Sequence, residues 1–246
     1  MNIERRLRLG QHSPVVRYLL ASRSTVYSAF FALPLFLAYE CAAILYRQDI
    51  DDIRNGADVL LKQVLVFLGV GGFMGVSVIL LGALLYLIWK ERRRTSGPIR
   101  GGYFLLMAGE SVVYALGLGR VVSRMVQAVM IGPVTLSFKA QVIASLGAGI
   151  YEELLFRVFL ITALYIVLHR LFGLRLVSAY LMAAVMASLI FSGFHYVGPL
   201  GDRFTIHSFV FRFFAGLVLS ALYITRGYGI TAYTHTMYDL FITFKL

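Results

Sequence analysis

Charge is scarce in this chain: 14% of its 246 residues are Asp, Glu, Lys or Arg, against about 25% in a typical soluble domain. Cysteine is rarer still. Cys41 stands alone, so no disulfide can close within the chain, and a disulfide-stapled secreted scaffold is excluded. Its apolar neighbours make Cys41 a small buried packing residue rather than a nucleophile. There is no internal repeat, no low-complexity tract and no second, soluble domain. None of the glycines follows a strand pattern, which removes a phosphate-cradling loop.

Hydrophobic residues fill the gap, at 59% of the chain, with a mean hydropathy of +0.80. They come in long runs, and about 20 such residues cross a hydrocarbon core about 30 Å thick. Seven segments answer that description: roughly 25–46, 64–89, 103–131, 140–168, 176–197, 207–225 and 229–245. The expected fold is all-α, a polytopic transmembrane helix bundle that makes a single membrane domain of residues 1–246. Glu110, Arg120 and Arg124 interrupt the third segment, and the second is long enough to tilt. Gly71 and Gly75 form a G-x-x-x-G, while Gly147, Gly149 and Gly216 suit close approach between helices.

The net charge is +11, with a sequence pI near 9.9. In a soluble protein that excess would suggest nucleic acid. Here the bases collect beside apolar runs, where membrane topology puts them, and no nucleic-acid partner is expected. Arg5, Arg6, Arg8, Arg17 and Arg23 fall before or at the start of the first segment, and Arg92, Arg93 and Arg94 follow the second. Arg170 and Arg175 come after the fourth, and Arg226 after the sixth. The first connection instead holds Asp49, Asp51, Asp52 and Asp58. This alternation predicts a cytoplasmic N-terminus and an outside C-terminus. The basic start resembles a signal peptide, but its apolar run is too long and has no small-residue cleavage site, so it is expected to be retained.

A charge at the centre of a span costs about 2.5–3.5 kcal/mol on insertion scales, so each one asks for a reason. The fourth segment contains Tyr151-Glu152-Glu153-Leu154-Leu155-Phe156-Arg157. Glu153 and Arg157 are i,i+4 with the acid first, the favourable order for an ion pair. Glu152 points about 100° away from Glu153 on a helix and is left without an obvious local cation, which suits a general base or acid. The fifth segment ends in Phe191-Ser192-Gly193-Phe194-His195, and the seventh holds His235 and Asp239 one helical turn apart. Such a set is either an interhelical network that holds the bundle or a reaction centre, and its size favours the second. Glu40 and Glu110 are expected to pair with Arg120 or Arg124, or to face a wet cavity. His207 reads as interfacial, and His12 and His169 as loop residues.

At these residues the sequence resembles the CPBP family, the CAAX proteases and bacteriocin-processing enzymes also called Abi intramembrane proteases. The family pattern is E-E-x-x-x-R, then F-x-x-x-H, then H-x-x-x-N on a later helix. Here it stands as Glu152-Glu153 with Arg157, Phe191 with His195, and His235 with Asp239 where the family more commonly has Asn. The resemblance covers the CPBP-like catalytic region, residues 141–246. It implies an integral protein of a prokaryotic cytoplasmic membrane that hydrolyses peptide bonds. It also implies that Glu152 and His195 activate water, that His235 and Asp239 stabilise the oxyanion, and that Glu153 and Arg157 support the site or position substrate.

An ionised Asp accepts hydrogen bonds only, whereas Asn can donate. Asp239 would therefore have to be protonated, to orient His235, or to help hold a metal. Glu152, His195, His235 and Asp239 are a plausible ligand set for zinc; the favoured reading has no metal and no cofactor. The expected partners are the membrane and a protein or peptide substrate: a prenylated C-terminus, a leader peptide or a C-terminal sorting tail. Two other functions stay open at this stage. One is a proton-coupled transporter or channel built on the same buried charges, and the other is a non-catalytic membrane partner.

Overall fold

The structure is a computed structural model that describes residues 13–46, 56–67, 69, 72–94, 97–126, 137–197 and 201–245. Among the described residues there are nine helices and no strand. They are α1 (Pro14–Ser22), α2 (Thr25–Leu45), α3 (Gly56–Phe67), α4 (Phe73–Arg94), α5 (Gly102–Val126), α6 (Phe138–Leu171), α7 (Leu176–Phe194), α8 (Ile206–Arg226) and α9 (Tyr228–Phe244). Local sequence explains most of the starts. Ser13, Ser24, Ser137 and Thr205 each accept a hydrogen bond from a backbone N–H in the first turn of α1, α2, α6 and α8. Pro14 opens α1, where its missing N–H costs nothing.

Helices α2, α5 (Gly102–Arg120), α6, α7 and α8 are long and apolar enough to cross a membrane. Of the other expected spans, α9 is only 17 residues long and α4 ends in the charged turn Arg92, Arg93, Arg94. The expected 64–89 segment is not one helix. α3 stops at Phe67, Gly69 takes a φ of 84°, and α4 begins at Phe73. Only one member of the G-x-x-x-G, Gly75, lies in the described residues, and no neighbour stands within 4 Å of where its Cβ would be. Cys41 is exposed on the outer surface of α2 instead of buried.

The bundle has two recognisable ends. At one, Arg226 closes α8 and donates to Glu110 of α5 and to Ser22 and the Leu19 carbonyl of α1. Burial and the adjacent Glu110 carboxylate push the Tyr18 phenol of α1 up, so it donates to Glu110. Glu110 thus takes Arg226 as its ion-pair partner, where Arg120 or Arg124 was expected; the side chain of Arg124 lies outside the described residues. Arg226 likewise is buried, not a loop charge. At the other end the Phe138 ring of α6 meets Phe244 of α9, and Lys139 sits over Tyr46 at the end of α2.

Glycines set two of the closest contacts. A Cβ on Gly149 of α6 would lie 2.5 Å from the Ala232 carbonyl oxygen and run into the Thr236 hydroxyl of α9. A Cβ on Gly216 of α8 would press on Ser188 and Phe191 of α7 at 3.1–3.3 Å. Both positions fit the close approach their small size predicts; Gly149 brings two site-bearing helices together, and Gly216 seats α8 against the site-bearing α7.

Candidate active site

The site forms where α6, α7 and α9 meet. From Ala148 to Leu160, α6 widens to i→i+5 winding, and the Ile161 N–H reaches the Phe156 carbonyl. Such wide turns change which side chains share a face, and they recur at functional sites. Here the widened stretch carries Glu152, Glu153 and Arg157, all buried. The Tyr228 hydroxyl of α9 donates to the Ile150 carbonyl at 2.9 Å.

Glu153 is the hub. One carboxylate oxygen accepts from His235 Nδ1 at 2.6 Å, and the other lies 3.1 Å from Arg157 Nε. The second contact is close enough for an ion pair but not aligned as a hydrogen bond, and among the described residues neither Arg157 Nη atom finds a hydrogen-bond partner. The guanidinium instead lies over the Phe191 ring, 4.3 Å from its centroid. A fully buried guanidinium needs this company, since an uncompensated charge there costs several kcal/mol. Phe191 also meets His195 edge-on at 4.8 Å and Phe156 at 5.2 Å, which gives the aromatic residue of the F-x-x-x-H pattern a physical task.

His195 caps the end of α7. Its Nδ1 is 2.8 Å from the Phe191 carbonyl and so carries the ring proton, leaving the Nε2 lone pair facing Glu152 Oε2 at 3.9 Å. The sequence puts His195 at the edge of its span, and the structure brings the edge to the site. The Asp202 N–H bonds back to the His195 carbonyl at 2.8 Å, which returns Asp202 to that end of α7. On α9, His235 Nε2 faces Asp239 Oδ2 at 3.6 Å, a charge contact longer than a hydrogen bond. All six expected site residues therefore come together, as two linked sets: Glu152 with His195, and Arg157–Glu153–His235–Asp239. Among the described residues, no three His, Cys, Asp or Glu side chains are arranged to hold a metal ion.

Residues 134–241 match the family model described as type II CAAX prenyl endopeptidase Rce1-like. This chain carries a CPBP-family domain. No curated protein and no solved structure matched. The CPBP domain contains every side chain of the two linked sets and supports an intramembrane protease in an integral membrane protein. The helices before it contribute residues that the sequence did not single out as neighbours of the site. Lys62 of α3 sits between Glu40 Oε1 at 3.1 Å and Asp58 Oδ1 at 2.7 Å. Tyr39 donates to Asp58 at 2.8 Å, and Tyr151, the residue before Glu152, donates to Glu40. Asp58 and Lys62 are i,i+4 at the start of an apolar run, a signal for burial that the acidic-loop expectation passed over. Glu40 accordingly finds Lys62 as its cation.

His207 is exposed at the start of α8, and His169 turns its Nδ1 to the Leu174 carbonyl at 2.8 Å. Neither joins the site. His12 lies outside the described residues.

Proposed function

We propose that the protein is an intramembrane endopeptidase that cleaves a membrane-associated protein or peptide segment with water activated by Glu152 and His195. The observation that carries this is the pair of inward-facing acceptors, Glu152 Oε2 and His195 Nε2, 3.9 Å apart. A water can donate one hydrogen to each atom across that gap. Attack on the peptide carbonyl carbon then transfers a proton to this pair, which returns it to the leaving nitrogen as the C–N bond breaks. His235 is anchored through Nδ1 to Glu153, and with the ring protonated at both nitrogens its Nε2–H becomes the donor for the oxyanion. Glu153 on one side and Asp239 on the other supply countercharge for a ring protonated at both nitrogens. Asp239 then acts as an acceptor that steers Nε2–H, a task for which an ionised carboxylate is suited. Arg157 balances Glu153 from the far side. No metal or cofactor is required by these steps.

Glu152→Gln in purified, membrane-reconstituted protein tests the assignment. Hydrolysis of a membrane-tethered model peptide is expected to fall by about 10²–10⁴-fold, the usual contribution of a general base, with unfolding temperature unchanged. Turnover that survives the substitution removes Glu152 from the mechanism.

A further inference from the structure

The two ends of the bundle differ in charge, and the site does not sit evenly between them. One end is strongly basic. α4 finishes in Arg92, Arg93 and Arg94, Arg100 precedes α5, Arg17 lies within the surface helix α1 and Arg23 just after it, and Arg170 and Arg175 bracket the α6–α7 turn. These groups share an end because the Arg100 N–H bonds to Tyr27, Tyr18 meets Tyr103 edge-on, and Tyr223 of α8 packs against the α6–α7 hairpin. α1 also exposes Val15, Val16, Leu19 and Leu20 beside its arginines, the composition of a helix lying in the membrane interface. At the opposite end Lys62 is neutralised by Glu40 and Asp58, and Arg212 is paired with Asp202. Arg120, Lys139, Arg203 and Lys245 add further positive charge there, spread over separate segments. Basic residues clustered in short connections stay on the cytoplasmic side.

Exposure across the site runs in the other direction. The Asp239 and His195 side chains, nearest the less basic end, are 28% and 24% exposed. Glu152 and His235 fall to 10% and 9%, and Arg157 and Glu153, farthest in along the chain of contacts, to 1% and 0%. The site is therefore open past the end of α7 and sealed towards the basic end. We infer that the site opens on the membrane face opposite the cytoplasm, and that its substrate is the tail or juxtamembrane segment of a translocated protein. The orientation stands on charge and exposure alone, whereas the substrate class rests on the protease reading. A tail modified and held in the cytoplasm approaches from the sealed side.

Labelling single cysteines in a Cys41→Ser background reads the orientation. Arg203→Cys and Lys245→Cys report the mouth, and Arg93→Cys and Arg175→Cys the basic end; all four positions are exposed. With a membrane-impermeant maleimide on intact cells, the first two are expected to label at least about tenfold faster than the second two, and opening the cells should erase the difference. The reverse pattern, or equal labelling of both pairs, overturns the orientation. In parallel, one membrane tail is fused to an exported reporter and to a cytoplasmic one, with Glu152→Gln as the inactive control. Cleavage of the exported fusion alone supports the substrate class, and cleavage of the cytoplasmic fusion alone overturns it. If labelling follows expectation while both fusions stay intact, the protease reading fails and the orientation survives.

Discussion

Glu153 holds cations from two helices with one carboxylate, so its neighbours are the most exposed to a single change. Glu153→Gln leaves Arg157 buried without its counter-charge and His235 without its anchor. Loss of one partner of a buried pair typically costs about 3–5 kcal/mol. Thermal unfolding in detergent should drop clearly for Glu153→Gln and stay level for Glu152→Gln, although both are expected to lower hydrolysis. Equal stability of the two variants would contradict the hub role. In the proposed mechanism Asp239 supports His235 Nε2 with an oxygen acceptor as well as with its charge. Asp239→Asn retains an oxygen acceptor and is expected to keep activity within about tenfold, whereas Asp239→Ala should lose about 10²-fold, the scale of one misplaced oxyanion donor. Steady-state hydrolysis of one peptide by the two variants checks this, and identical losses would place Asp239 outside the donor's support.

At the scale of the element, the widened stretch of α6 and the glycine that faces α9 act together. Gly149→Ala puts a methyl group against the Ala232 carbonyl and the Thr236 hydroxyl, so α6 and α9 must separate. Overpacking of this kind costs about 1–3 kcal/mol. Because the Glu153–His235 contact crosses the same interface, activity should fall further than stability predicts. Activity and unfolding temperature measured side by side would show it, and a fully active variant would mean the interface adjusts without moving the site. The helix itself was legible from its apolar length, and Gly149 from its small size among site-bearing residues. Its wide winding was not, because i→i+5 hydrogen bonding leaves no residue pattern distinct from that of an apolar α-helix. The break between α3 and α4 escaped for a similar reason: apolar character continues across residues 64–89 while the backbone turns at Gly69.

Over the whole molecule, ion pairs between distant segments hold the N-terminal helices to the CPBP domain. Arg226 and Glu110 tie α8 to α5 and α1 at one end, and at the other Glu40, which pairs with Lys62 of α3, also accepts from Tyr151 of the CPBP domain. Arg226→Met should destabilise strongly because Glu110 remains partly buried without its cation. The double variant Arg226→Met with Glu110→Gln should recover part of that loss. Unfolding temperatures of the two single variants and the double variant form the cycle that measures the coupling; simple additivity would mean the pair contributes nothing of its own.

Sequence alone established the all-helical membrane class, through long apolar runs and scarce charge, and it picked out Glu152, Glu153, Arg157, His195, His235 and Asp239. Ionisable groups in apolar helices are costly enough to be conspicuous without a structure. Local spacing also sufficed for Glu153 with Arg157 and for His235 with Asp239, because one helical turn brings each pair together. Only the tertiary structure decided that Glu153 grips His235, that Glu152 faces His195, and that Glu40 and Glu110 take Lys62 and Arg226 as partners. Those partners lie on different helices. Which cation a buried carboxylate meets depends on how helices stack and where α7 ends, and no periodicity within a single segment encodes that.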